Sequence, residues 1–522
     1  MSKIPYIGEV NGIKTLFVDD RPFFVRGGEL HNSSSSSLEY MEEKVWPMLR
    51  GLNMNTVVLP VAWENIEPTE GGFDFSLVDG LLDQARREGM KLVILWFGLW
   101  KNSESNYVPM WVKRNYETYW RAENAKGDKL NIISPFCKAA VEKDALAFGK
   151  LLEHLKDVDS EDNTVIFLQV ENEIGVLHSE RDFSAGAESL FQSAVPEDIK
   201  TLFDGDERFP ANMDGQSWPE VFGENACEMF MCWGYANAVE TIVQSGQRQY
   251  KLPMYANAWL EQHPWRPGTY PCGGPIAKMH KIWKHCAPSL FTFGPDIYVP
   301  YTADVMDEYA APDNPLFVPE VRKDPGAVSY LLYAFGHNNA IGVSPFGVED
   351  INADPATLKK PPFFVMMALN IDPAAMDCSA TAPYLSAVYG FIREMEPLLL
   401  EYRGTAHMKS FVKHNAVDDG IMLSFEKYDI VVNYGRTEEK KPVASGIIYE
   451  LAPDRFLMTG MNYTFTIYPK MGDRSEVVIG EAREGRLEQG RFVSGRILNG
   501  DERMDINLGD MPGAVSVEVY TI

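Results

Sequence analysis

Between about residue 20 and residue 346, uninterrupted apolar runs alternate with segments whose apolar residues recur at helical spacing. The apolar runs over 23–26, 56–60, 91–96, 164–170, 251–257, 291–298, 316–319 and 340–345 predict strands. Runs such as TVVLP, KLVILW and TVIFLQV are apolar throughout, as expected of parallel strands covered on both faces. The segments between them, 38–52, 75–88, 135–156, 227–244, 276–285, 303–309 and 327–337, carry the period of amphipathic helices. Eight such units predict an α/β chain folded as a (β/α)8 TIM barrel. The serine run 33–37 falls between strand one and its helix, and Ser36 with Glu39 has the spacing of a capping box. The long connection 170–251 predicts an excursion over the C-terminal face of the barrel, where long loops tend to be functional.

Beyond the barrel the texture changes. The stretch YLSAVYGFIREMEPLLLEY reads as a trailing helix. From residue 409 onward, alternation and turns dominate in IMLSFEK, DIVVNYG, GIIYELAPD, YTFTIYPK, RSEVVIGEAREG, RFVSGRILNGDER and SVEVYTI. This predicts a C-terminal antiparallel β-sandwich. The expected division is a catalytic barrel with long βα loops and a trailing helix over 1–405, followed by the sandwich domain over 406–522.

Composition narrows the function classes. The chain of 522 residues has 48 Lys and Arg against 74 Asp and Glu, a net charge of −26. That is the wrong sign for a phosphate-neutralising surface, so neither nucleic acid nor an anionic membrane is an expected partner. No run of about 18 apolar residues is present to span a bilayer, and the N-terminal residues show no secretory pattern. The expectation is a cytoplasmic protein. The six cysteines include no CxxC and read as free thiols, not as a disulfide or zinc framework. Aromatic residues reach 12%, which suits core packing and also suits stacking on sugar rings.

The chemistry of a barrel belongs at the C-terminal ends of its strands. Strand four ends Gln169-Val170-Glu171-Asn172-Glu173, and strand seven ends Pro319-Glu320-Val321-Arg322. Either Glu alone would most often be a solvated charge. As a pair they are different, because strands four and seven lie on opposite sides of an eight-membered barrel and their carboxylates converge. Two carboxylates about 5 to 5.5 Å apart are what a retaining glycosidase requires. Glu173 suits the acid/base, which must hold a proton near neutral pH, and Glu320 suits the nucleophile. Asn172 is then beside the reacting carbon, ready for a substrate hydroxyl. Tyr298, after strand six, is either a donor to Glu320 or a packing residue whose hydroxyl is satisfied by backbone.

Other strand ends add candidate substrate-binding groups: Glu29, His31 and Asn32 after strand one, Trp100 and Lys101 after strand three, and Asn257 and Trp259 after strand five. His31 is equally readable as a structural histidine. No His/Cys/Asp cluster has metal-ligand spacing, and HExxH, P-loop and Rossmann signatures are absent. No metal or cofactor is expected.

Together these motifs (GLNMNTVVLPVAWENIEPTEGGFDFSLVDGLLDQAR, LWFGLWKN, YVPMWVK, FLQVENEIG, LPMYANAWL, PDIYVP, FVPEVRKD and AFGHNNAIGVSPFG) resemble glycoside hydrolase family thirty-five. The likeness is to its bacterial β-galactosidase branch with a C-terminal β-domain. The resemblance implies a clan A enzyme that removes terminal β-linked galactose from oligosaccharides or glycans, with Glu173 as acid/base and Glu320 as nucleophile. It also implies a structural or supporting role for Glu171. One departure is visible. The family carries a Glu in an Ala-Glu-Trp motif after strand three that helps recognise galactose, and here the run reads Gly98-Leu99-Trp100. Another β-glycoside, a β-glucoside or β-oligoglucan, or transfer of the glycosyl group to a sugar, is the alternative. A non-catalytic carbohydrate-binding barrel is a third reading, which would predict loss of one carboxylate. The expected partner is the glycoside substrate, and a homo-oligomer is compatible with this reading.

Overall fold

The computed structural model describes residues 3–210, 212–358, 362–473 and 475–522. Its centre is an eight-stranded parallel sheet: β1 (Val25–Arg26), β2 (Thr56–Ala62), β3 (Lys91–Lys101), β4 (Val165–Asn172), β5 (Met254–Trp259), β6 (Phe293–Ile297), β7 (Phe317–Val321) and β8 (Gly342–Pro345). The strands follow the order β1-β8-β7-β6-β5-β4-β3-β2. Backbone bonds from Val58 N–H to Gly28 O (2.9 Å) and from Leu30 N–H to Val58 O (3.0 Å) bring β1 back to β2 and close the ring. Strands β2, β4 and β7 are buried along their whole length, which matches their largely apolar sequences.

The helices follow from local chemistry. Ser76–Glu88 buries Val78, Leu81, Leu82 and Ala85 at helical spacing, and Gly89 ends it in the left-handed region at φ 69°. Lys138–Asp159 and Ala226–Gln249 pack on each other outside β3 and β4, with Gly246 giving Phe148 its room. The segment expected as a helix over 38–52 is helical over Leu38–Leu49, with a widened π-type turn at Met41–Val45. Pro47 accounts for the widened turn, since it has no N–H to donate to the preceding turn. The cap also differs from expectation: Ser37, not Ser36, accepts the Tyr40 N–H at 3.3 Å.

Two features escaped the sequence pattern at the base and top of the barrel. At the base, a three-stranded antiparallel sheet, Tyr6–Val10, Ile13–Val18 and Arg21–Pro22, inserts Leu16 and Val18 among the barrel-interior side chains Val58, Phe97, Phe167, Tyr255 and Phe317. At the top, the hairpin Arg121–Glu123 with Lys129–Ile133 follows β3. The excursion after β4 carries three short helices packed by an aromatic cluster that includes Phe191, Phe203, Trp218, Phe222 and Phe230.

The helix Thr381–Tyr402 leads from the barrel to two antiparallel sheets. One has six strands and one has four, and Phe411, Ile448, Phe456 and Val517 of the first share a core with Leu423, Ile430, Val432 and Ile467 of the second. This is the packing of a sandwich. Strand Arg455–Met461, which is central in the six-stranded sheet, has no counterpart in the alternating sequence pattern because six of its seven residues are buried. The trailing helix is tied to the barrel by a buried ion pair between Glu396 and Arg26 and by the Tyr389 hydroxyl, 2.7 Å from Gly27 O.

Candidate active site

The ends of β3 to β8 meet in a cleft of about 210 Å³ lined by Asn32, Lys101, Asn102, Glu173, Trp259, Asp296, Tyr298, Glu320 and Phe346. Glu173 and Glu320 face each other across it. Carboxylate oxygens of Glu173, Asp296 and Glu320 lie within 4.8 Å of one another, and all three residues are buried. Among the described residues this is the acidic group whose spacing would suit a metal ion. Protein donors already reach Glu173 and Glu320.

The backbone at the end of β4 is unusual. Glu171 and Glu173 both sit at positive φ, 63° and 47°, and so do Asn102 and Ser103 after β3. Left-handed conformations in four non-glycine residues cost energy that the surrounding bonds must hold, a pattern that concentrates at functional sites. Asn257 at the end of β5 supplies part of that hold. Its Oδ1 accepts the Glu173 N–H at 2.9 Å and its Nδ2 donates to Asp296 Oδ2 at 2.6 Å.

The two facing carboxyls have different surroundings. Glu320 accepts a hydrogen bond on each oxygen, from Asn172 Nδ2 at 3.1 Å and from the Tyr298 hydroxyl at 2.6 Å. Glu173 accepts from Asn102 Nδ2 at 2.5 Å. Burial, reinforced by the charge of Glu320, raises the Glu173 carboxyl to about 7, with Lys101 and the adjacent Asp296 carboxyl pulling the other way. Asp296 is held well above the usual carboxylate range by burial and then by the charges of Glu320, Glu173 and Glu29. Lys101 donates to Asn172 Oδ1 at 2.9 Å and lies 5.1 Å over the Phe97 ring.

Not every candidate reaches the cleft. Trp100 is fully buried behind it, donating its indole N–H to Ile133 O at 2.8 Å and meeting Tyr235 edge-on, so it has no face free for a sugar. Glu29 is fully buried below Glu320, raised well above its ordinary value by burial and then by the Glu320 charge, and does not line the cleft. His31 lies to one side, its Nε2 2.9 Å from Asp350 Oδ2. Glu171 faces away: its carboxyl accepts the Leu99 and Trp100 N–H groups at 3.1 and 2.6 Å. Asn32, Lys101, Asn172, Asn257, Trp259 and Tyr298 do converge on the two Glu residues, as cleft lining or as direct hydrogen-bond partners.

Asp296 and Phe346 were not among the candidates. Asp296 had a signal, as an acid interrupting the apolar strand in PDIYVP beside the chosen Tyr298. The wall formed by residues 369–371 and Met376 had none, because it reaches the cleft only through tertiary bonds such as Asp372 N–H to Tyr298 O at 3.0 Å.

Comparison with known proteins adds an independent line. A family model described as Beta-galactosidase, that of glycoside hydrolase family forty-two, matches residues 37–220. A second, described as Domain of unknown function (DUF5597), matches residues 385–508. No curated protein matches the sequence. Among solved structures, a beta-galactosidase from Bacillus circulans sp. alkalophilus aligns with TM-score 0.50 at 11% identity, covering 95% of this chain and 99% of that one. A beta-galactosidase from the psychrophilic Marinomonas ef1 aligns with TM-score 0.45 at 13% identity over 72% of this chain, which spans only 61% of that enzyme. The catalytic domain of a beta-amylase from Paenibacillus polymyxa aligns with TM-score 0.46 at 8% identity, covering 63% of this chain and 94% of that one.

The barrel, the facing carboxyls and the match of residues 37–220 to a family model described as Beta-galactosidase define the class: a glycoside hydrolase. Among the described residues no helix is long and apolar enough to cross a membrane.

Proposed function

We propose that the protein is a retaining, exo-acting β-galactosidase that removes terminal β-linked galactose from oligosaccharides or glycans. The observation that carries this reading is the approach of the Glu173 and Glu320 carboxylate oxygens to within 4.8 Å, which suits the close pair of a double displacement better than the wider pair of an inverting enzyme. Glu173 gives its proton to the glycosidic oxygen. As the bond to that oxygen breaks, a Glu320 oxygen forms an ester bond to the anomeric carbon. Water then attacks the same carbon, its proton passing to Glu173 and the ester electrons returning to Glu320. A group that titrates at about 7 can give and take that proton near neutral pH.

The Asn172 and Tyr298 bonds hold Glu320 in line and must shift as its charge moves to the sugar. Asn32, Asn257 and Lys101 are proposed to order the sugar hydroxyls and Trp259 to stack on its apolar face. Glu29 and Trp100 act from behind the cleft, and His31 from one side of it. We assign residues 1–405 as the catalytic domain and 406–522 as a β-sandwich domain, and favour membership near family thirty-five or forty-two. All six cysteines are free thiols, which supports a reducing, cytoplasmic setting.

A second reading keeps the mechanism and changes the sugar. It rests on Leu99, which is fully buried where family thirty-five has its galactose-recognising Glu. Incubation with 2-fluoro-β-galactoside and 2-fluoro-β-glucoside, followed by peptide mass spectrometry, tests both readings. A galactosyl adduct on Glu320 is expected, a glucosyl adduct favours the second reading, and an adduct on another residue overturns the assignment of the nucleophile.

A further inference from the structure

Beside the catalytic cleft lies a larger chamber of about 500 Å³, more than twice the cleft's volume. The two are continuous, because Asn32, Phe346 and Met376 line both. Beyond the shared junction residues the catalytic chemistry uses nothing in the chamber, yet it is built as a binding site. Its floor is a polar network in which Asp350 Oδ2 bonds both His31 Nε2 (2.9 Å) and Lys323 Nζ (2.5 Å). Its outer edge comes from the other end of the chain. Lys440, between the strands Tyr428–Tyr434 and Ser445–Ala452 of the C-terminal sheets, reaches over to Ser379 Oγ (2.9 Å) and Asp377 Oδ2 (3.4 Å).

The remaining walls are apolar, chiefly Phe346, Leu358, Pro373 and Met376. Apolar walls with charged hydrogen-bonding groups at the floor and rim match a pyranose, which has an apolar C–H face and a hydroxyl edge. The charges also narrow the choice. Lys323 and Lys440 are each paired with an Asp, so among the described residues the lining offers no unpaired lysine for an acidic sugar. At the junction of cleft and chamber, Asn32 Oδ1 accepts no hydrogen bond from the described residues.

We propose that the chamber is a second carbohydrate subsite that holds a neutral sugar unit adjoining the one cleaved, with Lys440 forming its rim. This rests on the glycosidase reading above and sharpens it. The substrate is a neutral oligosaccharide of at least two or three units, and the C-terminal sheets take part in binding it.

The test is a chain-length series. Calorimetry on the full-length Glu320→Gln protein, which binds without turnover, compares mono-, di- and trisaccharides of β-linked galactose and of β-linked glucose. In at least one series the Kd should fall about tenfold or more from mono- to trisaccharide, and adding Lys440→Ala should remove most of that gain. A Kd that is flat with length in both series, or a gain untouched by Lys440→Ala, overturns the proposal. Failure of the parent reading looks different: the wild-type protein would hydrolyse no aryl β-glycoside, whatever the binding series gives.

Discussion

Two buried pairs of carboxyls lie within a few residues of each other at the top of this barrel. Glu173 faces Glu320 in the cleft, and Glu171 faces Asp144 behind it. In both, burial raises a carboxyl above its ordinary range: Glu173 in the first, Glu171 and Asp144 in the second. The difference lies in what surrounds them. Asp144 accepts from the Trp96 indole (2.8 Å) and the Leu99 N–H (2.9 Å), while Glu171 accepts from the Leu99 and Trp100 N–H groups. A Cβ on Gly98 would sit 2.4 Å from Asp144 and 2.5 Å from Glu171, so the glycine is what lets the strand close over them. Every donor near this pair belongs to the protein, and no substrate reaches it. The cleft pair keeps an open side. A raised carboxyl therefore marks burial, and only access turns it into chemistry.

Substitutions in the cleft pair should have the largest effect and act on rate. Glu320→Gln is expected to lower kcat by on the order of 10⁴-fold or more with the thermal midpoint nearly unchanged. Glu173→Gln should cost about 10² to 10⁴-fold on alkyl glycosides, whose leaving groups need the proton, and much less on dinitrophenyl glycosides, which do not. Steady-state kinetics on the two substrate classes separates these cases. Equal losses on both would remove the acid/base role from Glu173.

The hidden pair should do the reverse. Glu171→Ala leaves buried N–H groups and the Asp144 carboxyl without their partner, and is expected to cost about 3 kcal/mol of stability. The kcat/KM of the folded fraction should change by less than about tenfold. The pH dependence has a definite sign. A carboxyl raised in the folded state contributes stability that is complete below the ordinary carboxylate range and is lost as pH rises through the folded value. Denaturant unfolding of the wild-type protein should therefore show stability falling as pH rises above about 4.5. Glu171→Gln, which has no such proton to lose, should fall less.

How much of this was legible beforehand depends on whether the signal was local. The barrel, the Asn-Glu end of β4 and the Glu of β7 were readable because an apolar run that ends in an acid needs no tertiary information. Trp100 was misplaced because β3 continues to Lys101 through an irregular pairing with β4, which turns the indole into the packing between β3 and the helix Ala226–Gln249. The roles of Glu171 and Asp144 depend on a helix whose register over β3 the sequence does not state. The cleft wall at 369–371 and the rim at Lys440 come from segments with no strand-end signature, so only the folded chain brings them to the site.

Asp296 lies between the two pairs in character, and its effect should be the smallest and the most informative. It is buried like Glu171, yet it lines the cleft beside Glu173. The groups facing Glu173 are Asp296, Glu320 and Lys101, with Asn102 and Asn257 completing its bonds. If Asp296 holds a proton and donates it to Glu173, removing it takes away a stabiliser of the Glu173 carboxylate. The alkaline limb of kcat/KM, which reports loss of the Glu173 proton near 7, should then move to higher pH in Asp296→Leu, by less than about one unit. Asp296→Asn keeps an N–H donor at that position, and its limb should stay near that of the wild type. An ionised Asp296 predicts the opposite, because losing a neighbouring negative charge would lower the limb in both variants. The direction of movement, read from pH–rate profiles on one aryl glycoside, decides whether the cleft works with one ionised carboxylate or two.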